Sequence, residues 1–197
     1  EPLPEQVYSP ECIAPHLLAR AYGQRRGKIS QTFIDSRLQE QVNGIVRRHI
    51  DVLKHNHIYN AAVLVVHIPT GQVRAYVGNG PKVRDDGGNQ VDIITSNRSS
   101  GSILKPVLYA LMLQSGYILP GTIVSDVPSR FGGYVPSNFN KDFQGIVPAD
   151  KALSMSLNIP FVRLLREYGV EHFYDDLKKM GITTLNRKAE NYGLSLI

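Results

Sequence analysis

Ser102 and Lys105, near the middle of the chain, have the residue types and the spacing that nucleophilic catalysis requires. Residues three apart on a helix lie on one face, so the lysine amine can reach the serine hydroxyl. A serine hydroxyl is a poor nucleophile until a base takes its proton, and a lysine can be that base if burial or nearby cations lower its pKa. Unpaired N–H groups at a helix start can also bind the oxyanion formed when serine attacks a carbonyl. The pair therefore indicates acyl transfer, although Ser-x-x-Lys alone also arises by chance in a chain of this length.

A second polar pair, Ser156 and Asn158, lies downstream of the first. By itself a Ser-x-Asn is also typical of a helix end or a turn. Serine acyl-transferases of the penicillin-recognising group place a Ser-x-x-Lys, a Ser-x-Asn and a Lys-Thr-Gly around one cleft, in that order. The order of the two pairs here fits that arrangement, so we take all four side chains as candidate catalytic residues.

The sequence around both pairs carries a more specific resemblance. Seven segments follow one another as they do in one family: residues 101–106, 120–122, 126–128, 134–139, 143–145, 152–160 and 192–196. In these segments the chain resembles the transpeptidase domain of class A, bifunctional penicillin-binding proteins. Upstream, Ala-Pro-His at 14–16 and residues 32–35 together with 38–39 resemble the connection between glycosyltransferase and transpeptidase domains. The Ala-Pro-His form is most similar to the penicillin-binding protein 1C subgroup.

The resemblance implies a role for each candidate residue. Ser102 would attack the carbonyl of the penultimate D-alanine of a peptidoglycan stem peptide and expel the terminal D-alanine. Lys105 would be the base, Ser156 would shuttle the proton, and Asn158 would orient the substrate and the lysine. An amine from a neighbouring stem would then resolve the acyl-enzyme, and β-lactams would acylate the same serine. The implied partners are therefore stem peptides and β-lactams.

The resemblance also implies the fold and the domain organisation. The expected class is α+β, β-lactamase/transpeptidase-like, with helices packed on an antiparallel sheet. Residues 1–35 would be a linker arm between the two domains, and residues 36–197 the N-terminal part of the transpeptidase domain. The parent would also carry a glycosyltransferase domain and a membrane anchor.

The family's third motif, Lys-Thr-Gly on a strand, is missing from the sequence. The nearest match, 179–181, has methionine in place of the hydroxyl residue and lies at a predicted helix end. We therefore expect an incomplete sheet and a fragment that is inactive alone. The unpaired edge of the first strand should also favour strand pairing between copies, giving a homo-oligomer in this truncated form.

Composition narrows the other possibilities. The 197 residues are 42% hydrophobic and 20% charged, as in soluble globular proteins. The net charge of +5 is scattered, without the interleaving of aromatic and basic residues seen in single-strand binders, so no nucleic-acid partner is predicted. A single cysteine, Cys12, excludes an internal disulfide, and no cofactor or metal site is predicted.

The sequence has no apolar run of the ~20 residues that a membrane-spanning helix needs. Membrane attachment is therefore expected only through parent segments outside this chain. The resemblance implies a location on the periplasmic, extracytoplasmic face of the bacterial inner membrane.

The pattern of apolar residues predicts the elements that position the four candidates. An amphipathic helix is expected at 36–54, begun by a capping box of Ser36 and Gln39. A β-hairpin is expected at 61–68 and 72–77, its first strand largely buried, followed by a solvated loop at 78–90. Further elements are predicted as follows: an arm at 1–30, a helix at 101–114 made irregular by Pro106, a loop-rich cleft wall at 117–147, a helix from Pro148 through the second pair, and a helix at 171–180.

Two rival functions remain open. A non-catalytic interaction module of the envelope could keep the fold for docking alone. A β-lactamase or β-lactam sensor would share the fold and differ in whether water attacks the acyl-enzyme. The upstream segments at 14–16 and 35–39 favour the bifunctional synthase over the lactamase and the sensor.

Overall fold

The computed structural model describes residues 11–83 and 88–197 of the chain. They form two compact units, the first ending at Ser96 and the second running from Asn97 to Ile197. The start of the predicted arm (residues 1–10) and the centre of the predicted loop at 78–90 (residues 84–87) lie outside the described residues.

The first unit consists of two helices and a hairpin. Its elements in order are α1 (Pro15–Gln24), α2 (Ser36–Leu53), a 3-10 turn (Lys54–Asn56), β1 (Val63–His67) and β2 (Gln72–Val77). Helix α1 lies in the stretch that sequence reasoning treated as an irregular arm. It is only ten residues long and buries none of them, and Pro15 at its first turn was the available signal.

The N-cap of helix α2 lies one residue before the predicted cap. The Asp35 carboxylate accepts a hydrogen bond from Leu38 N at 2.9 Å, so Asp35 is the N-cap and Ser36 is the first helical residue. The predicted capping box of Ser36 and Gln39 is therefore wrong. Aspartate and serine both cap helices well. Asp35 N, however, also donates to Arg74 O on β2 at 3.0 Å. That bond fixes the helix start against the hairpin at Asp35.

Gln39 has a structural role instead of a capping role. Its side chain is fully buried and pairs with the backbone of Tyr76 as a neighbouring strand would. Tyr76 N donates to Oε1 at 2.7 Å, and Nε2 donates to Tyr76 O at 3.1 Å. The amide thereby satisfies backbone groups on the outer edge of β2.

Replacing Gln39 with alanine is expected to lower the free energy of unfolding by about 1–3 kcal/mol, because Tyr76 N–H would be left buried without a partner. The matched control is Gln41→Ala, since Gln41 lies on the same helix and is exposed. That change should stay within about 0.5 kcal/mol. Urea unfolding compares the two, and equal losses would contradict the assigned role.

The more buried strand of the hairpin is the second one and not, as predicted, the first. Strand β1 pairs antiparallel with β2, but Leu64 and Val66 of β1 are 44% and 41% exposed. The buried strand is β2, so the prediction of a largely buried first strand is wrong. Helix α2 packs on the hairpin and shares a core with the end of β2, formed by Val42, Val46, Ile50, Ala75 and Val77. Among the described residues β1 pairs only with β2, and strand pairing between copies stays a prediction.

The second unit is mostly helical. Its elements are a 3-10 turn (Gly101–Leu104), α3 (Lys105–Gln114), β3 (Ile123–Asp126), β4 (Gly145–Pro148), α4 (Ala149–Ser154), α5 (Asn158–Tyr168), α6 (Val170–Lys179), α7 (Ala189–Tyr192) and a 3-10 turn (Gly193–Leu196). Helix α5 supplies much of the core and contacts α3, α4, α6 and β3. The helix predicted at 171–180 is confirmed as α6.

The segment predicted as a loop-rich wall contains a small sheet. Strands β3 and β4 pair antiparallel, from Ile123 opposite Pro148 to Asp126 opposite Gly145. Val124 and Val147 face each other in this register and both are buried. Each strand has four residues, too few for an alternating pattern to stand out from its flanks.

Candidate active site

Ser102 lies on a tight 3-10 turn that leads into α3. The turn spans Gly101–Leu104, and Lys105 N donates to Ser102 O across it. Pro106 therefore falls in the first turn of α3, where a missing N–H breaks no helical bond. The irregularity predicted from Pro106 is found as this change of helix type, because Ser102 O accepts from Lys105 N and not from position 106, where an α-helix would need the N–H that proline lacks.

The side chain of Ser102 is exposed. Within residues 11–83 and 88–197 its hydroxyl makes no hydrogen bond. Gly101 precedes it with φ +52°, a conformation that side-chain-bearing residues rarely adopt. The turn thus presents the hydroxyl to solvent at the head of a helix.

Lys105 is buried, with 1% of its surface exposed. Its Nζ donates to Asn158 Oδ1 at 2.6 Å and to Ser156 O at 2.8 Å, and it lies 3.4 Å from Ser156 Oγ. The Phe161 ring lies beside it, with its centroid 5.8 Å from Nζ. Burial lowers the pKa of Lys105 to about 8, because a charged amine is disfavoured where water is excluded.

Ser156 lies in a break between two helices. The predicted single helix from Pro148 is interrupted here, since α4 ends at Ser154 and α5 begins at Asn158. Ser156 N donates to Leu153 O and Leu157 N to Ala152 O, the two bonds of a Schellman motif. Ser156 occupies its left-handed position, with φ +53°. This turn exposes the Ser156 carbonyl, which accepts from Lys105.

Glycine at position 156 is expected to relieve the left-handed strain and raise the free energy of unfolding by up to about 1 kcal/mol. The same Ser156→Gly change removes the hydroxyl near Lys105, so stability and acylation rate should move in opposite directions. Ser154→Gly is the control: Ser154 is the last residue of α4 and has helical backbone, so this change should lower stability by about 0.5 kcal/mol. Urea unfolding measures the free energy of unfolding of both variants. A lower value for Ser156→Gly than for the parent would refute the claim that the backbone of Ser156 is strained.

Asn158 is the first residue of α5 and its amide is fixed at both ends. Oδ1 accepts from Lys105, and Nδ2 donates to Ser137 O at 2.7 Å. In the flipped orientation the Asn158 NH2 group would face the Lys105 amine, and both are donors. The hydrogen bonds therefore define one orientation of the amide. The structure thus brings three of the four candidates together, while the hydroxyl of Ser102 stays outside their hydrogen-bond network.

Sequence reasoning missed two polar residues beside this site. Asn138 is 5% exposed and Asp126 is fully buried, and they are joined by hydrogen bonds. Both lie in segments quoted for the family resemblance, but neither received a role. Buried polar residues are rarely without partners, and nothing in their local sequence indicates that these two are buried.

Comparison with known proteins shows which family the chain belongs to. A profile of the penicillin binding protein transpeptidase domain matches residues 61–195, which include all four candidates. The chain belongs to this family. Its relatives are class A penicillin-binding proteins, and penicillin-binding protein 1C of Escherichia coli (strain K12) is 32% identical over 185 residues. The resemblance inferred from the motifs is confirmed.

Solved structures agree with this assignment at the level of the fold. The penicillin-binding protein PonA1 from Mycobacterium tuberculosis matches with a TM-score of 0.65 and 23% identity over 87% of this chain. PonA1 in complex with penicillin V matches with a TM-score of 0.59 and 22% identity over 89% of this chain. The α+β, β-lactamase/transpeptidase fold class is thus confirmed.

The chain spans only part of these relatives. The match with the Escherichia coli protein covers 94% of this chain but only 24% of that protein. The structural matches cover 44% of the PonA1 chain and 46% of the PonA1 chain in the penicillin V complex. Within the part of the chain that the structure describes, none of the helices combines the length and the apolar character needed to cross a bilayer.

Proposed function

We propose that this chain supplies the serine, the lysine and the Ser-x-Asn motif of a peptidoglycan D,D-transpeptidase that reacts through a serine acyl-enzyme. The observation that carries the proposal is the buried Lys105 amine, hydrogen-bonded to the Ser-x-Asn motif and one helical turn from Ser102. The transpeptidase family assignment supports it.

The surroundings of Lys105 suit a general base. A pKa of about 8 leaves an appreciable fraction of the amine neutral near pH 7.5. A neutral amine has two N–H donors and one lone pair. The two shortest contacts, to Asn158 Oδ1 and Ser156 O, take both donors and leave the lone pair for a hydroxyl proton.

The reaction then follows in two proton transfers. The Ser102 Oγ proton passes to Lys105 Nζ as Oγ bonds to the carbonyl carbon of the substrate. The tetrahedral intermediate collapses, the C–N bond breaks, and Lys105 Nζ returns its proton through the Ser156 hydroxyl to the departing amine, which leaves the acyl group on Ser102 Oγ and the lysine neutral. Hydrogen bonds of this kind are often long without substrate and tighten when it binds, so the unbonded Ser102 hydroxyl fits a resting site.

The proposed substrate is the D-alanyl-D-alanine end of a stem peptide, with an amine of a second stem as acceptor. β-Lactams present an acylating carbonyl to the same serine, and PonA1 has been solved with penicillin V. The proposal also places the parent protein at the extracytoplasmic face of the bacterial inner membrane, in a synthase that also carries a glycosyltransferase, and the similarity to penicillin-binding protein 1C supports this placement.

Labelling of the complete protein with a fluorescent penicillin tests the proposal. A transpeptidase is expected to gain the mass of one penicillin and to keep it for many minutes. Rapid loss of the added mass would identify a β-lactamase instead. Absence of any adduct on folded protein would favour the non-catalytic interaction module.

A further inference from the structure

The side chain of Asn138 caps helix α5 from a distant loop. Its Oδ1 accepts from Asn158 N at 2.9 Å and from Ile159 N at 3.5 Å, the first two backbone donors of α5. Leu157, which precedes the helix, provides no side-chain cap. The orphan donors at the head of this helix are therefore satisfied by a residue far away in the sequence.

A buried carboxylate fixes Asn138 in this position. Asn138 Nδ2 donates to Asp126 Oδ1 at 2.8 Å and to Oδ2 at 3.0 Å, and also to Asp142 O at 2.9 Å. Asp126 Oδ2 accepts a further bond from Gln144 N at 2.8 Å. With both ends of its amide bonded, Asn138 has one orientation, in which its oxygen points at α5.

The neighbouring backbone completes the arrangement. Asn158 Nδ2 donates to Ser137 O, the residue before Asn138. The 137–138 segment thus binds Asn158 twice, through its backbone N–H and through its side-chain amide. Asn158 Oδ1 is left with Lys105 as its partner at 2.6 Å.

Taking the proposed function as given, we propose that Asn138, fixed by Asp126, is a positioning residue that holds Asn158 Oδ1 against Lys105. A buried Asp–Asn pair alone could serve only the fold. Here Asn138 bonds Asn158, whose Oδ1 in turn accepts from the Lys105 amine, so we expect loss of the pair to move that acceptor. Displacements of about 1 Å in an active site can cost about a hundredfold in rate.

Two variants of the complete protein test the proposal. Asn138→Ala removes the cap, and Asp126→Asn keeps the size of the side chain but removes the carboxylate that orients Asn138. The second change keeps the test available if the first prevents folding. The matched control is Asn79→Ala, because Asn79 is also 5% exposed and bonds Asn60, Gly88, Gly80 and Val91 within the first unit.

The first readout is the rate constant of acylation per folded molecule. Both site variants should acylate about tenfold to a hundredfold more slowly than the parent, and Asn79→Ala should match the parent while losing stability. If folded Asn138→Ala acylates as fast as the parent, the positioning role is refuted.

The second readout needs no catalysis: the titration of the Lys105 Cε resonance in protein with 13C-labelled lysine, assigned by its loss in Lys105→Ala. Among the described residues, the groups that contact Nζ are neutral, namely the carbonyl and hydroxyl of Ser156, the Asn158 amide and the Phe161 ring. Withdrawing the Asn158 acceptor disfavours the ammonium, so the midpoint should move to lower pH in both site variants. An unmoved midpoint overturns the proposal, whereas an unlabelled parent protein would refute only the proposed function.

Discussion

Replacing Ser102 with alanine is expected to abolish covalent labelling of the complete protein by penicillin. The hydroxyl is the only group of the proposed site that forms the bond to the carbonyl carbon, and nucleophile knock-outs in serine enzymes cost on the order of a millionfold. The side chain is exposed and makes no hydrogen bond in the described chain, so its loss should leave the fold intact. Gel fluorescence after labelling measures the effect.

The control for Ser102→Ala is Ser100→Ala. Ser100 is also exposed and lies just before the same 3-10 turn, so it meets the label in the same surroundings. Labelling of Ser100→Ala should equal that of the parent. Full labelling of Ser102→Ala would show that another residue is the nucleophile.

Replacing Lys105 with alanine is expected to slow acylation by about a hundredfold to ten-thousandfold, the usual contribution of a general base.

The acylation rate of the parent protein should also depend on pH in a defined direction. Burial lowers the pKa of Lys105 to about 8, and only the neutral amine accepts a proton. Acylation should therefore be fast above pH 8 and fall about tenfold per unit well below it. Stopped-flow acylation across this range measures the profile.

Lys105→Arg separates the charge of this residue from its basicity. Arginine keeps a cation and several donors but does not lose its proton in proteins. We expect Lys105→Arg to acylate as slowly as Lys105→Ala. In both variants the acylation rate should lack the rise with pH that is centred near pH 8 in the parent. A Lys105→Arg protein with the parent's rate and profile would show that the lysine is not the base.

The elements that sequence reasoning located correctly are those with a repeating apolar pattern. Helix α2 was expected at 36–54 and runs from Ser36 to Leu53, and β2 was expected and found at Gln72–Val77. Such patterns report a buried face. They do not report which partner covers it, and for that reason the burial of β1 was misjudged while its existence was not.

What sequence reasoning missed depends on contacts between distant residues. The choice of Asp35 as the cap of α2 follows from its bond to Arg74 O, which lies on another strand. Asn138 and Asp126 matter because a loop and a strand bring them to the start of α5. No local pattern encodes these pairings.

Mapping the penicillin adduct to a residue tests the central claim most directly. Trypsin cleaves after Arg98 and Arg130, and the bond after Lys105 resists it because Pro106 follows, so both Ser102 and Lys105 fall in the peptide 99–130. Fragmentation of that peptide separates Ser102 from its other serines. We expect the added mass on Ser102 alone. An adduct on Ser156, on another serine or outside this peptide would contradict the account.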